Sequence, residues 1–248
     1  MNNKRNQKNR FPKKVPVLTP EQKKIKDDFM KYWLEVSRTN YGIYERFNHQ
    51  TVVKNKPTKF LKTLEIGAGL GEHLAYEDLN EDQKKNYYAM DMRENVLQIL
   101  KKENPEINAI LGDCEEGLEF TDNFFDRVIA IHILEHLPTL PSAIDEIHRV
   151  LKKDGKLIIF EPNKLNPLIW LTHLIDKNER GLLNVGTLDK YNKILNNFHL
   201  KIIHHRYSGI VIGPSSKIFD LLSSILNYKL IYPILGWFNP KIMLIAKK

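Results

Sequence analysis

Cysteine is almost missing from this chain. Cys114 is the single one among 248 residues, which excludes an intramolecular disulfide and any metal centre built on clustered thiolates. A reducing, cytoplasmic setting is the expectation that follows. Long hydrophobic runs are missing too. No uninterrupted apolar stretch reaches the ~18–20 residues that a membrane-spanning helix requires. The nearest approach, residues 218–238, is broken by Asp220, Asn227, Lys229 and Pro233. The first residues hold no apolar core of the kind a secretory signal needs. Acidic residues are absent from positions 1–16, where Lys4, Arg5, Lys8, Arg10, Lys13 and Lys14 give +6. That arm carries most of the net charge of +8, because 32 basic residues face 30 acidic ones in the remainder. A nearly neutral remainder argues against a broad basic face, so nucleic acid is not the expected partner. The arm itself reads as a solvated, disordered tail, with anionic lipid or RNA as what it is able to touch.

What the chain does contain is apolar character enough for a core, 42% hydrophobic against 27% charged residues. From Pro20 the spacing of Ile25, Phe29, Trp33 and Val36 predicts a helix. With the aromatic patch Tyr41 to Phe47 it makes an expected N-terminal helical cap over residues 17–56, bounded near Lys54–Thr58. Strands and helices then alternate. Apolar runs predict strands at Thr63–Ile66, Tyr87–Met90, Asn108–Leu111, Arg127–Ile133 and Leu157–Phe160, the last introduced by a turn at Lys153-Asp154-Gly155. Helical spacing predicts helices over 93–103 and 141–152, the second with Ala143, Ile144, Ile147, Val150 and Leu151 on one face. Strands of continuous apolar character joined by helices mean a parallel sheet covered on both sides. In such sheets ligands sit at the carboxyl ends of the strands.

The residues just after each predicted strand therefore matter most. The first strand runs into Leu64-Glu65-Ile66-Gly67-Ala68-Gly69-Leu70-Gly71, three glycines at alternate positions. Glycines permit a tight turn and let backbone approach a ligand, and a helix beginning just beyond would add free N–H groups. The spacing is G-x-G-x-G, with Glu72 standing where a dinucleotide fingerprint places its third glycine. Asp91 ends the second strand, where a carboxylate can accept hydrogen bonds from both ribose hydroxyls of a nucleoside. Asp113 and Cys114 follow the third strand, at an edge where an adenine ring finds an acceptor; a thiol there is more readily packing than chemistry. His132, Glu135 and His136 spell H-x-x-E-H, an inverted zinc-protease pattern. It opens at a strand end with Pro138 close behind rather than on one helix, so no metal is expected. His204-His205 falls within a predicted strand and its rings should face opposite ways.

Taken in order, Leu64–Gly71, Asp91, Gly112-Asp113, Phe124–Ala130, His132–Leu137 and Arg149–Leu157 resemble the successive motifs of the class I S-adenosylmethionine-dependent methyltransferases, of the type 11-like group that acts on small molecules and lipids. The resemblance covers roughly residues 60–163. It implies a Rossmann-like doubly wound sheet of seven mostly parallel strands with an antiparallel last strand, and Lys201–His205 and Lys241–Ala246 suit the sixth and seventh. It implies S-adenosyl-L-methionine as the cofactor. Glu65, Gly67, Ala68, Gly69 and Gly71 would surround its methionine part, Asp91 its ribose, and Met92, Asp113 and Cys114 its adenine. Ala130 and His132 would line the sulfonium side. His132 and Glu161 lie on the carboxyl edge as candidate bases, with a shaping role for His132 and an ion pair for Glu161 as the alternatives.

After Pro162 the resemblance thins. Apolar insertions near 165–175 and 214–238 interrupt the domain assigned to residues 57–248. They are either core or a cover over a greasy acceptor with peripheral membrane contact. The expected function is methyl transfer to a small or lipid-linked acceptor. The alternatives are a glycan or sugar-nucleotide acceptor, a non-catalytic nucleotide-binding scaffold of the same fold, and a nucleotide-dependent oxidoreductase, against which the glycine spacing counts.

Overall fold

The computed structural model describes residues 43–175, 181–209 and 217–248. The basic arm 1–16, the predicted helix through Ile25, Phe29, Trp33 and Val36, and residues 214–216 of the second insertion lie outside the described residues. What is described is a seven-stranded sheet in the order β3-β2-β1-β4-β5-β7-β6. Strands β1 (Thr63–Ile66), β2 (Tyr87–Asp91), β3 (Asn108–Leu111), β4 (Phe125–Ile131) and β5 (Leu151–Pro162) pair in parallel. The last strand, β7 (Lys241–Lys247), runs antiparallel between β5 and β6 (Lys201–Ser208). The doubly wound sheet with its antiparallel last strand is thus present.

Alternation along the strands divides the core into two sides. Leu64, Ile66, Val128, Ala130, Leu157, Ile159, Leu244 and Ala246 face one way. There they meet Ala143, Ile144 and Ile147 of the helix Leu140–Val150 and Tyr191 and Leu195 of Leu188–Asn197. The residues between them face the other way. Tyr87 and Ala89 pack with Leu97 and Leu100 of Glu94–Glu103. Ile129, Ile158, Phe160 and Met243 pack with Val52 of α1 (Ile43–Lys54). Helix α1 is the described part of the cap. Its last turn leads through residues 55–62 into the start of β1, so it descends antiparallel to that strand.

Two strands differ from their predicted bounds. Strand β4 is Phe125–Ile131 rather than Arg127–Ile133. Phe125 is drawn in by an aromatic cluster with Tyr88, Phe120 and Phe124. His132 leaves the strand because its φ is +52°. Strand β5 begins at Leu151 and absorbs the predicted turn: Asp154 adopts φ +67°, and pairing jumps from Phe125↔Leu151 to Arg127↔Lys156. His204 and His205 lie just after a slip in the pairing of β6 with β7, and both are exposed.

Arg127 is fully buried in the middle of this sheet. Its Nη1 donates to Glu77 Oε1 at 2.7 Å, its Nε donates to Thr63 Oγ1 at 3.1 Å, and its guanidinium lies 4.0 Å from the Phe60 ring centroid. Burial opposes a charge on Glu77, but hydrogen bonds from His73 and Arg127 hold its carboxyl down at about 2. Breaking such a pair from one side strands a buried charge. Arg127→Leu should therefore destabilise the fold by about 3–5 kcal/mol, read from the urea midpoint.

Candidate functional site

The carboxyl ends of β1, β2 and β4 converge on the glycine loop. Gly67, Gly69 and Gly71 all adopt positive φ, of 69°, 57° and 87°. Side chains resist that conformation. A Cβ on Gly67 would also stand 3.0 Å from Ile133 Cδ1, and one on Gly69 2.8 Å from Glu72 Oε2. The loop is pinned to the neighbouring strand by Ala68 N donating to Met90 O at 2.9 Å. No helix follows at once. The segment makes turns and a single 3-10 turn, Leu74–Tyr76, before the short helix Glu81–Lys85. It is pulled across the sheet instead, because Glu77 goes to Arg127.

Asp91 sits beneath the loop, only 4% exposed. Gly69 N donates to its Oδ2 at 2.9 Å. Arg93 donates from its backbone N at 3.0 Å and Nε at 2.8 Å to Oδ1, and from Nη2 at 2.8 Å to Oδ2. A carboxylate has about four acceptor positions, and the chain itself occupies all of them. Met92, beside it, is 39% exposed. Asp113 Oδ1 accepts from Glu115 N at 2.9 Å, capping the turn after β3, whereas the Cys114 side chain packs inside the core. Glu65 lies behind the glycines on the side of Tyr87, whose hydroxyl donates to Glu65 Oε2 at 2.7 Å. Burial pushes the Glu65 carboxyl up to about 7.

Ala130 is fully buried near the end of β4. His132 follows with its backbone N donating to Phe160 O at 2.9 Å and its ring 5.8 Å from the Phe160 ring. Burial, and then the charge of Lys241, hold the imidazole well below its ordinary range, so it is neutral. Among the described residues its Nε2 has no hydrogen-bond partner. Among the described residues Glu161 forms no close ion pair, the alternative given above, although the charge of Lys241 acts on it. Its Oε1 accepts from Ile133 N and Leu134 N, each at 3.0 Å. Burial, and then the charge of Glu135, raise it well above the carboxylate range. A protonated acid is no base, and the same burial opposes a proton on His132, so of the two only the neutral imidazole has a free basic form.

Two of the H-x-x-E-H residues pair with each other rather than lining one helix face. Glu135 Oε1 lies 3.3 Å from His136 Nε2, and its Oε2 lies 3.6 Å from Nε2 of His173, on the helix Pro167–Ile175. Burial opposes its charge, yet His136 and His173 keep Glu135 below the usual carboxylate range. No three His, Cys, Asp or Glu side chains group for a metal ion among the described residues. Sequence reasoning passed over His173, Lys241 and the buried Tyr191, and also Asn48 and His49 of α1. His49 Nδ1 lies 3.3 Å from His73 Nδ1, and its ring stacks on Tyr76 at 5.3 Å. No local signal marks these residues. They meet only because distant segments share one edge of the sheet.

Residues 64–159 match the methyltransferase domain family. Over 102 residues the chain is 33% identical to arginine-hydroxylase NDUFAF5, mitochondrial, of Homo sapiens, a match covering 41% of this chain and 29% of that protein. Over 162 residues it is 28% identical to the ubiquinone/menaquinone biosynthesis C-methyltransferase UbiE of Francisella tularensis subsp. novicida, covering 61% of this chain and 63% of that one. The chain thus spans less than two thirds of the length of these curated relatives. A solved structure of a SAM dependent methyltransferase from Archaeoglobus fulgidus shares the fold, with a TM-score of 0.55 at 18% identity over 92% of this chain and 94% of that one.

The raised carboxyl of Glu65 has a measurable consequence. The folded chain binds more protons here than the unfolded chain between about pH 4.5 and 7. Stability is therefore lost as pH rises through that window, by at most about 1.4 kcal/mol per pH unit. His49, pushed down to about 3 by burial and by His73, acts in the opposite sense below its ordinary value. The test is thus a difference: urea midpoints of Glu65→Gln should rise relative to the parent between about pH 5 and pH 7.

Proposed function

We propose that this chain, a member of the class I S-adenosylmethionine-dependent methyltransferases by its residues 64–159 and its sheet, moves a methyl group from S-adenosyl-L-methionine to a small or lipid-linked acceptor. One observation carries the reading. A positive-φ glycine loop at the end of β1 donates Gly69 N–H to the buried carboxylate that ends β2, at 2.9 Å. Such a cradle, free of side chains and backed by a carboxylate, suits a nucleoside that carries an amino-acid tail.

When bound, the cofactor supplies the electrophilic sulfonium methyl. Gly67, Ala68, Gly69 and Gly71 would hold its methionine part, with Glu65 behind them. Asp91 would hold the ribose, and Met92, Asp113 and the backbone at Cys114 the adenine. Ala130 and His132 would border the transfer position. The chain's task is alignment: an acceptor atom must lie in line with the bond being broken. The neutral imidazole of His132 would accept a proton from a hydroxyl acceptor.

The acceptor side favours something greasy. Ile169 of the helix Pro167–Ile175 is buried, but Leu168, Trp170, Leu171 and Leu174 of the same helix are 42–51% exposed. Leu221, Leu222 and Ile225 of the helix Lys217–Asn227 are exposed as well. Surface apolar residues gathered in this way mark ligand or membrane contact more often than core. The relative named for quinone biosynthesis supports a lipid-linked acceptor. No helix among the described residues is long and apolar enough to cross a membrane, so peripheral contact in a cytoplasmic setting is the placement that accompanies this reading. The relative named as an arginine-hydroxylase makes hydroxylation the competing activity.

Labelled S-adenosylmethionine incubated with fractionated host extract should pass label into the lipid or small-molecule pool. Label in a glycan pool would move the acceptor class, and absence of transfer with absence of S-adenosylhomocysteine binding would remove the methyltransferase reading. Asp91→Ala should keep the fold and weaken S-adenosylhomocysteine binding about tenfold or more by calorimetry. Matched acceptors with and without an alkyl chain should differ in Michaelis constant, and the full chain should co-sediment with anionic vesicles. If neither occurs, the lipid-linked reading fails.

A further inference from the structure

The cap helix α1 carries a polar group that the reading above leaves unused. Asn48 is 1% exposed, and both its Oδ1 and its Nδ2 lack a hydrogen-bond partner among the described residues. A buried carboxamide with both ends unpaired is rare in a native fold. Sites that recognise a polar ligand show this property when the ligand is away, because their donors and acceptors are built for it.

The position of Asn48 follows from the packing of α1. Val52 packs against Ile129, Ile158, Phe160 and Met243. Asn48 precedes it by four residues and so shares its face. The helix descends antiparallel to β1, which puts Asn48 about 6 Å nearer the carboxyl edge than Val52. That is the level of Phe160 and of His132, whose ring stands 5.8 Å from Phe160. The next residue, His49, clamps this turn of α1 onto the segment after the glycine loop, through His73 at 3.3 Å and Tyr76 at 5.3 Å. His49 is also close enough to His132 to act on it electrostatically. The Asn48 carboxamide and the His132 imidazole are thus held on one side of the same strand end, and each has unused hydrogen-bonding capacity.

We propose that Asn48 is an acceptor-binding residue and that it selects, with His132, an uncharged acceptor bearing a hydroxyl group. This deepens the methyltransferase reading and rests on it. The carboxamide offers one acceptor and two donors, and a neutral imidazole offers one of each. A hydroxyl satisfies both kinds at once. An ammonium group satisfies only the acceptors, and it would do so near the charge of Lys241, which bears on His132.

The test uses the full chain saturated with S-adenosylhomocysteine, labelled with nitrogen-15, and two probes of matched size, benzyl alcohol and benzylamine. The side-chain amide signals of Asn48 are identified by their absence in Asn48→Leu. Benzyl alcohol should shift them and bind at least about tenfold more tightly than benzylamine. Asn48→Leu should weaken benzyl alcohol binding at least about tenfold, hold S-adenosylhomocysteine affinity within about twofold, and leave the melting temperature unchanged or raised. The proposal is overturned if the two probes bind alike, or if neither binds. It is equally overturned if Asn48→Leu binds benzyl alcohol as well as the parent does, which would make the amide's partner a trapped water, or if that variant melts lower. Should Asn48→Leu fail to fold, Asn48→Ala is read in its place, and failure of both overturns the proposal. If the parent binds benzyl alcohol as described but not S-adenosylhomocysteine, the methyltransferase reading falls while the role of Asn48 stands.

Discussion

The buried charge of Arg127 constrains more of this molecule than any other single group. A guanidinium cannot shed its proton in a protein, so its place inside the sheet obliges a carboxylate to come to it. Glu77 is that carboxylate, 2.7 Å away. To reach it, the chain after the glycine loop gives up the helix that its glycines announce and lies across the strands. That path delivers His73, whose Nε2 stands 3.1 Å from the same Glu77 oxygen. The other ring nitrogen of His73 meets His49 and fixes the cap helix. One buried cation thereby sets the course of the loop, the seat of α1 and the height of Asn48 above the sheet.

Around the strand ends, burial sorts otherwise similar groups into opposite states. Glu135 and Glu161 are both enclosed acids, the first four residues past the end of β4 and the second near the end of β5. Glu135 keeps its charge because His136 and His173 face it, whereas Glu161 loses its charge because burial and the like charge of Glu135 outweigh two backbone N–H groups and the charge of Lys241. His132 is neutral for the same reason that Glu161 is. Backbone N–H groups and a neutral imidazole thus stand together past the end of β4, while the pairs Asp91 with Arg93 and Glu135 with its histidines stand nearby. Environments that separate the protonation states of like residues are a mark of functional sites.

Much of the frame was readable in the residues alone, since strands β1 to β5 announce themselves as apolar runs and most lead directly into residues of chemical interest. The glycine loop and Asp91 were legible for the same reason: their meaning is local. The helix expected after Gly71 was misjudged because a partner fifty positions away, Arg127, outweighs local preference. Strand β4 began early because Phe125 joins an aromatic cluster, and it ended early because His132 turns left-handed. Neither fact shows in a window of ten residues. Asn48, His49, Tyr191 and Lys241 were invisible for a deeper reason. They belong to three separate elements, and only the assembled sheet brings those elements together.

The saturation of Asp91 has a thermodynamic consequence. With Gly69 and Arg93 supplying donors to all its acceptor positions, the carboxylate is never presented bare to water. On the reading proposed above, a ribose diol arriving there would trade places with guanidinium nitrogens, so hydrogen bonds would be exchanged rather than simply added. The carboxylate would then work as a filter: a ligand without two adjacent hydroxyls would bring too few donors to replace the arginine, which would stay where it is.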